Sequence, residues 1–255
     1  MSAVLGIDAA WTEKGSSGVA LAIQDARLPR CVHISSSYAE FCSAAGITFD
    51  RHAPGASLLT AAMELAGGPI DVVAVDMPLA TIPIASRREA DQEISRRYGG
   101  RKASAHSPNR DRPGAVGERL MDSLVSSGLQ LATTAAPNPS PALIEVYPHV
   151  ALIELMNCDE RRKYKADKSL TYWPGTNIDE RVRLLLAEWE LIRLALEKEL
   201  DVGLSWPGSF SKLNAMKPYE DRLDAAVCCW VGLKYLAGAT TPLGDATAAI
   251  WVPKC

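Results

Sequence analysis

Three acidic residues lie within or at the end of apolar segments, where a carboxylate has no obvious packing role. Asp8 occurs in "GIDAAW", Asp76 in "AVDMPL" and Glu145 in "IEVYPH". Pro78 and Pro148 follow the last two acids closely, and proline tends to mark the end of a central strand because it has no N–H for the ladder. The carboxyl ends of parallel strands share one edge of a sheet, where open α/β folds place their ligands. We therefore expect the three carboxylates to meet at one edge.

A fourth carboxylate is expected on a late helix, within "KPYEDRLDAAVCCW" at residues 217–230. Glu220 and Asp224 are four residues apart, so they share a helix face, and this face borders the apolar stripe. Asp224 is predicted to lie near the buried side of the helix and Asp221 to point further towards solvent. Glu220 and Asp221 also suit the first turn of a helix, where negative charge is favourable.

Ionised carboxylates in apolar surroundings are costly unless cations or a metal compensate them, and none of the three strand segments contains Arg or Lys. Mg²⁺ prefers oxygen ligands, and two such ions about 4 Å apart can activate a water and stabilise the leaving oxygen of a phosphodiester. The sequence therefore predicts a Mg²⁺ or Mn²⁺ centre, rather than a Ser–His or Cys–His pair. Its predicted ligands and catalytic residues are Asp8, Asp76, Glu145 and Asp224.

Two polar segments are richer in basic residues than the rest of the chain. Residues 87–119 carry a formal charge of +4 within a chain of net charge −3, and "RRKYKADK" at 161–168 is a second basic cluster. Basic loops beside an acidic metal centre suit phosphate contacts, which indicates DNA or RNA as the partner. A solvated helix face with charge pairs would explain them equally well. The predicted substrate-binding residues, with His106 also a possible proton carrier, are Arg87, Arg101, His106, Lys212 and Lys217.

The elements that must position these residues follow from hydrophobic periodicity. Strands are predicted over residues 4–11, 18–24, 31–37, 69–79, 142–152 and 246–253, the first two joined as a hairpin by the polar turn "TEKGSS". Helices are predicted over residues 56–66, 89–98, 177 to about 200, and 219–236. This order predicts an α/β fold whose mixed sheet has antiparallel hairpin strands followed by parallel strands, flanked by helices.

Composition sets the class of protein. A chain of 255 residues that is 47% hydrophobic suits one globular domain, predicted to span residues 1–255 with inserted basic loops near 87–119 and 159–178. No apolar run approaches the roughly 18 to 20 residues that a membrane span needs. No secretory leader is visible, and six cysteines without a C-x-x-C pair are expected to be reduced. We therefore expect a cytoplasmic protein that does not bind membranes.

Several motifs together resemble a known family. They are "GIDAAW", "DMPL", "RREAD", "GGRKASAHS", "EVYPH", "EDRLDA" and "AAIWVP", which span nearly the whole chain. In this order they resemble the family catalogued as domain of unknown function 429, described as predicted RNase H-like nucleases. The resemblance implies an RNase H-like fold, metal-dependent cleavage of nucleic acid, and metal binding by Asp8, Asp76, Glu145 and Asp224. It leaves open whether Asp76 or Glu145 is the principal second acid, the other then being structural.

Two other functions remain compatible with the sequence. Actin-like kinases, which bind ATP and transfer phosphate, also open with a Gly-Asp hairpin, although they need a second such domain and a Gly-rich adenosine motif. The chain could instead be a non-catalytic nucleic-acid-binding module with a degenerate metal site. An assay for phosphotransfer tests the first alternative, and retained binding without cleavage would favour the second.

Overall fold

The computed structural model describes residues 1–12, 15–25 and 28–254, which form helices on both faces of one sheet. Within these residues the strands are β1 Ser2–Asp8, β2 Gly18–Gln24, β3 Arg30–Ser35, β4 Val72–Asp76, β5 Gln130–Leu131, β6 Ala142–Glu145, β7 Thr240–Gly244 and β8 Ala249–Pro253. The α-helices are α1 Tyr38–Ala44, α2 Pro54–Ala66, α3 Glu89–Tyr98, α4 Gly114–Ser126, α5 Pro148–Met156, α6 Ser169–Tyr172, α7 Ile178–Leu196 and α8 Lys217–Leu236. The predicted hairpin turn "TEKGSS" includes Glu13 and Lys14, which lie outside the described residues.

The sheet is mixed, as predicted. Its strand order is β3-β2-β1-β4-β6-β8-β7, with β5 paired to β6 beside this path. β1, β2 and β3 form an antiparallel meander, whereas β4, β6 and β8 continue parallel to β1 and β7 closes the far edge antiparallel to β8. The arrangement is consistent with an RNase H-like fold, and it brings the carboxyl ends of β1, β4 and β6 to one edge.

Two apolar layers cover the sheet, and alternation along each strand decides which side chain enters which layer. In β1, Val4 packs into the layer that contains α7 and α8, whereas Leu5 and Ile7 pack into the layer of α1, α2 and α4. By the same alternation Asp8 faces α8. Because both faces of these central strands are buried, their sequences are continuous apolar runs without a polar face.

Helix α8 lies directly against β1 and β2, and two glycines permit this approach. A Cβ built on Gly6 would lie 2.2 Å from the carbonyl oxygen of Ala225, and one on Gly18 would lie 2.0 Å from that of Asp221. Both contacts are with helix backbone, which cannot move aside cheaply. Gly6 in the opening "LGIDAAW" therefore allows the acidic end of α8 to approach Asp8.

Most predicted elements are confirmed, and the differences have local causes. The predicted strand over 142–152 is wrong beyond Glu145, because Pro148 begins α5 instead, as proline does at a first helical position. The polar stretch 87–119 contains α3, as predicted, and the beginning of α4, which was not predicted. Asn177 caps α7 by accepting a hydrogen bond from the Glu180 amide at 2.9 Å.

Among the described residues, no helix combines the length and the apolar character required to cross a membrane.

Candidate active site

A cleft of about 200 Å³ opens at the edge of the sheet where β4 and β6 end. Its walls combine carboxylates, a lysine, two histidines and aromatic rings. Among the lining residues are Trp11, Asp76, Asp91, His106, Glu145, Tyr147, His149 and Lys165. Asp76 and Glu145 thus both line this cleft at the predicted edge, and Lys165 joins them from a loop distant in sequence.

Asp8 and Asp76 form the centre of the acidic site. They are direct register partners on the parallel strands β1 and β4, whose backbones run about 4.8 Å apart. Burial raises the pKa of Asp8 well above its ordinary value, with a further rise from the Asp224 carboxylate. Burial and Asp224 likewise raise the pKa of Asp76 to about 7. Neither carboxylate has a hydrogen-bond or ion-pair partner within the described parts of the chain, so no direct contact compensates their charge, although the nearby Lys165 ammonium opposes the rise of both pKa values.

Asp224 lies beside this pair but is already partnered. Its side chain is completely buried in α8. The Tyr164 hydroxyl donates a hydrogen bond to its Oδ1 at 2.7 Å, and the Lys165 ammonium contacts its Oδ2. Burial lowers the pKa of Lys165, but Asp224 and other anionic neighbours outweigh that effect and raise it well above the ordinary value. Lys165 is therefore a permanent cation in this site.

The first turn of α8 contributes two more buried carboxylates. Glu220 accepts a hydrogen bond from the Ala166 amide at 2.7 Å and from Lys217 Nζ at 2.9 Å. Asp221 is also fully buried, with Lys217 Nζ 2.5 Å from its Oδ1. The prediction that Asp221 points towards solvent is wrong, because Asp221 lies where α8 packs against Gly18 of β2, and the partly exposed residues of this turn are Pro218, Tyr219 and Arg222 instead.

Glu145 occupies a separate environment. The Arg88 guanidinium binds both of its oxygens, at 2.6 Å and 2.7 Å, and the Leu79 amide donates a further hydrogen bond at 2.8 Å. Arg88 also pairs with Asp91 at 2.7 Å. Glu145 is the register partner of Val75, so it faces away from α8, whereas Asp76 faces towards it. Burial raises the pKa of Glu145, and Arg88 opposes that rise.

The four predicted metal ligands therefore do not converge as one set. Among the described residues, no group of three or more His, Cys, Asp or Glu side chains is arranged to hold a metal ion. Asp8 and Asp76 are adjacent carboxylates without a direct hydrogen bond or ion pair in the described residues, and burial and Asp224 raise the pKa of both. This pair fits a hard divalent cation, because Mg²⁺ is commonly held by one or two carboxylates with waters and substrate phosphates completing its shell.

The predicted substrate-binding residues fall into two groups. Arg87 is hydrogen-bonded to Ser107 at 2.9 Å, and Arg101 is paired with Glu154 at 3.1 Å, so both hold loops together. Lys217 pairs with the α8 carboxylates. His106 is exposed and lines the cleft, and Lys212 is exposed just before α8. Only the last two present free polar groups to a ligand.

Sequence reasoning missed three residues that build this site. Arg88 and Lys165 supply its cations, and both lie in the basic segments already noticed in the sequence. His149 also lines the cleft, with its Nδ1 buried and without a partner among the described residues. Burial and the nearby cations Lys165 and Arg161 lower the pKa of His149 well below 6.5, so its ring is neutral at pH 7. The histidine in "EVYPH" was the available signal for it.

The pKa of Asp76 predicts a specific dependence of stability on pH. The folded protein keeps this proton up to about pH 7, whereas an unfolded aspartate loses it near its ordinary pKa of 3.8. The contribution of Asp76 therefore favours the folded state below pH 4 and declines as the pH rises to about 7, by at most about 1.4 kcal/mol per pH unit. Melting temperatures of wild type and Asp76→Asn in EDTA, measured from pH 4 to 8, should diverge in favour of the variant. Parallel curves would contradict the assignment.

Comparison with known proteins adds the family. No curated protein and no solved structure matches the chain. The model of the family described as "Protein of unknown function (DUF429)" matches residues 6–248, which include every carboxylate of the site. The chain therefore belongs to the DUF429 family.

Proposed function

We propose that the protein is a nuclease that hydrolyses phosphodiester bonds of nucleic acid with the help of Mg²⁺ or Mn²⁺. The observation that carries this proposal is the uncompensated pair Asp8 and Asp76 at the carboxyl edge of parallel strands. The pair would hold a divalent cation, which would supply Lewis-acid stabilisation of a phosphate and a more acidic water. The proposed cofactor, Mg²⁺ or Mn²⁺, and the proposed partner, DNA or RNA, are those expected from the sequence.

The cleft offers groups that suit a phosphate. Lys165 lies on its wall, partly exposed, and adds positive charge beside the carboxylates. The Arg161 side chain lies over the ring of Tyr172 at 6.0 Å and has no ion pair within the described chain. A polyanion would therefore meet the positive charge of Lys165 on the cleft wall, and Arg161 adds positive charge near the lining residues Tyr147 and His149. Hydrolysis adds water across one P–O bond, so the leaving oxygen must gain a proton, which His106, exposed on the cleft wall, would provide.

The test is a cleavage assay on the purified chain. Labelled single-stranded and double-stranded DNA, RNA and an RNA–DNA hybrid are incubated with Mg²⁺, Mn²⁺, Ca²⁺ or EDTA. We expect cleavage of at least one substrate in Mg²⁺ or Mn²⁺ and none in EDTA. Ca²⁺ is expected to support little cleavage, because it adopts looser coordination at longer distances. Binding without cleavage in every metal would instead indicate the non-catalytic module, and metal-dependent ATP consumption would indicate a phosphotransferase.

A further inference from the structure

Residues 164–166 provide partners for two carboxylates of α8. The Tyr164 hydroxyl donates to Asp224 Oδ1 at 2.7 Å, and the Ala166 amide donates to Glu220 Oε2 at 2.7 Å. Between them, Lys165 Nζ contacts Asp224 Oδ2 and lies 3.5 Å from Glu220 Oε1. One ammonium therefore lies between two carboxylates, and a second, Lys217 Nζ, donates to the same Glu220 oxygen at 2.9 Å.

The core fixes this segment in place. Tyr164 is fully buried, and its carbonyl oxygen accepts a hydrogen bond from Trp189 Nε1 at 2.8 Å. Ala166 is buried on the other side of Lys165. The backbone that carries the ammonium therefore cannot retreat without disturbing the apolar layer around α7 and α8. Lys165 thus belongs to the folded framework of the site.

The acidic site consequently has two halves, which differ in how the negative charge of their carboxylates is compensated. In the half formed by Glu220 and Asp224, the carboxylates receive an ammonium and two neutral donors from one rigid segment. In the half formed by Asp8 and Asp76, no side chain of the described residues makes a direct hydrogen bond or ion pair. A cation from solution therefore finds carboxylates without a direct partner in the second half, where Lys165 acts only from a distance.

We propose that Lys165 takes the place of a second metal ion, so that the protein binds one divalent cation, at Asp8 and Asp76, rather than two. The inference rests on the metal site of the proposed function. Lys165 acts as a positioning residue, since it holds Asp224 and Glu220 while a sixth of its side chain reaches the cleft. The substrate phosphate would then lie between one bound metal and one fixed ammonium.

The number of bound ions tests this directly. Mn²⁺ is titrated into the full chain while free Mn²⁺ is followed by electron paramagnetic resonance. We expect one ion per chain for wild type. Lys165→Met should bind two, because Asp224 then loses its ammonium and Glu220 keeps only that of Lys217, and Lys165→Arg should again bind one. Lys163→Met, which removes an exposed lysine two residues away, is the matched control and should bind one.

Two ions in wild type, or a single ion in a folded Lys165→Met variant, would overturn the inference. If Lys165→Met fails to fold, the wild-type number alone decides between one ion and two. Cleavage is measured separately in the same samples. A wild type that binds one ion and cleaves no nucleic acid contradicts the proposed function but supports the ion count, whereas a wild type that cleaves with two ions contradicts only the role of Lys165.

Discussion

Asp8→Asn is expected to abolish divalent-cation-dependent cleavage while leaving the folded protein at least as stable as wild type. An amide is a weak ligand for Mg²⁺ and carries no charge, so the remaining carboxylate would have to hold the ion alone. Substitution of outer-shell residues at metal sites already costs about 10- to 100-fold in affinity or activity, so we expect a loss of at least about 100-fold here. Initial cleavage rates at saturating Mg²⁺ measure the loss of activity. A titration with Mn²⁺ measures the loss of cation affinity.

The expected stability of this variant separates a functional carboxylate from a structural one. Burial and the neighbouring acids raise the pKa of Asp8, so its ionisation opposes folding when no cation is present. The neutral amide removes that cost, and the melting temperature in EDTA at pH 8 should be equal to or higher than that of wild type. Added Mg²⁺ should raise the melting temperature of wild type more than that of Asp8→Asn.

A matched control distinguishes loss of the site from loss of one negative charge. Asp122 is an exposed aspartate on α4, away from the acidic site. Asp122→Asn should cleave normally and keep the full response of melting temperature to Mg²⁺. Normal cleavage by Asp8→Asn would instead place the metal, or the chemistry, elsewhere in the molecule.

The strands and most of the site could be predicted from the sequence because the relevant information is local. An apolar run that ends in an acid and a proline indicates a strand end, and parallel strands bring such ends together. The partners of these acids could not be predicted in the same way. Arg88 is 57 residues from Glu145, and Lys165 is 59 residues from Asp224, so only the fold brings them into contact.

The face of the sheet on which each carboxylate lies could not be predicted from the sequence either, for a physical reason. Strands that are buried on both faces have no alternation of apolar and polar residues, so nothing in "AVDMPL" or "IEVYPH" indicates which layer a carboxylate enters. Glu145 and Asp76 consequently looked equivalent although they face opposite layers. Asp221 was misplaced because α8 is buried at most of its positions, so its apolar stripe does not show which charged residues face the core.

Arg88→Met is expected to be the most destabilising of these substitutions. Arg88, Glu145 and Asp91 are all buried, with side-chain exposures of 8%, 5% and 2%. Removal of the guanidinium leaves two carboxylates without their cation, which typically costs about 3 to 5 kcal/mol when one partner of a buried pair is lost. In a chain of this size the loss corresponds to a fall in melting temperature of roughly 6 to 20 °C.

Two comparisons make this prediction specific. Arg96 also bridges two glutamates on α3, but 60% of its side chain is exposed, so Arg96→Met should leave the melting temperature close to that of wild type. Arg88→Met/Glu145→Gln should recover part of the loss, because the amide is neutral and can still accept the hydrogen bond from Leu79. Equal melting temperatures for Arg88→Met and wild type would contradict the buried network.

The same network predicts which of Asp76 and Glu145 is the principal second acid of the metal site. Glu145 is compensated by Arg88 and faces away from α8, so Glu145→Gln should lower the melting temperature in EDTA yet keep Mn²⁺ affinity near that of wild type. Asp76 is uncompensated, so Asp76→Asn should raise the melting temperature at pH 8 and lose Mn²⁺ binding. The two substitutions thus have opposite signs for stability and for metal binding. Loss of Mn²⁺ affinity in Glu145→Gln, with affinity retained in Asp76→Asn, would show that Glu145 is the ligand. Arg88 would then have to move away from Glu145 when the ion binds.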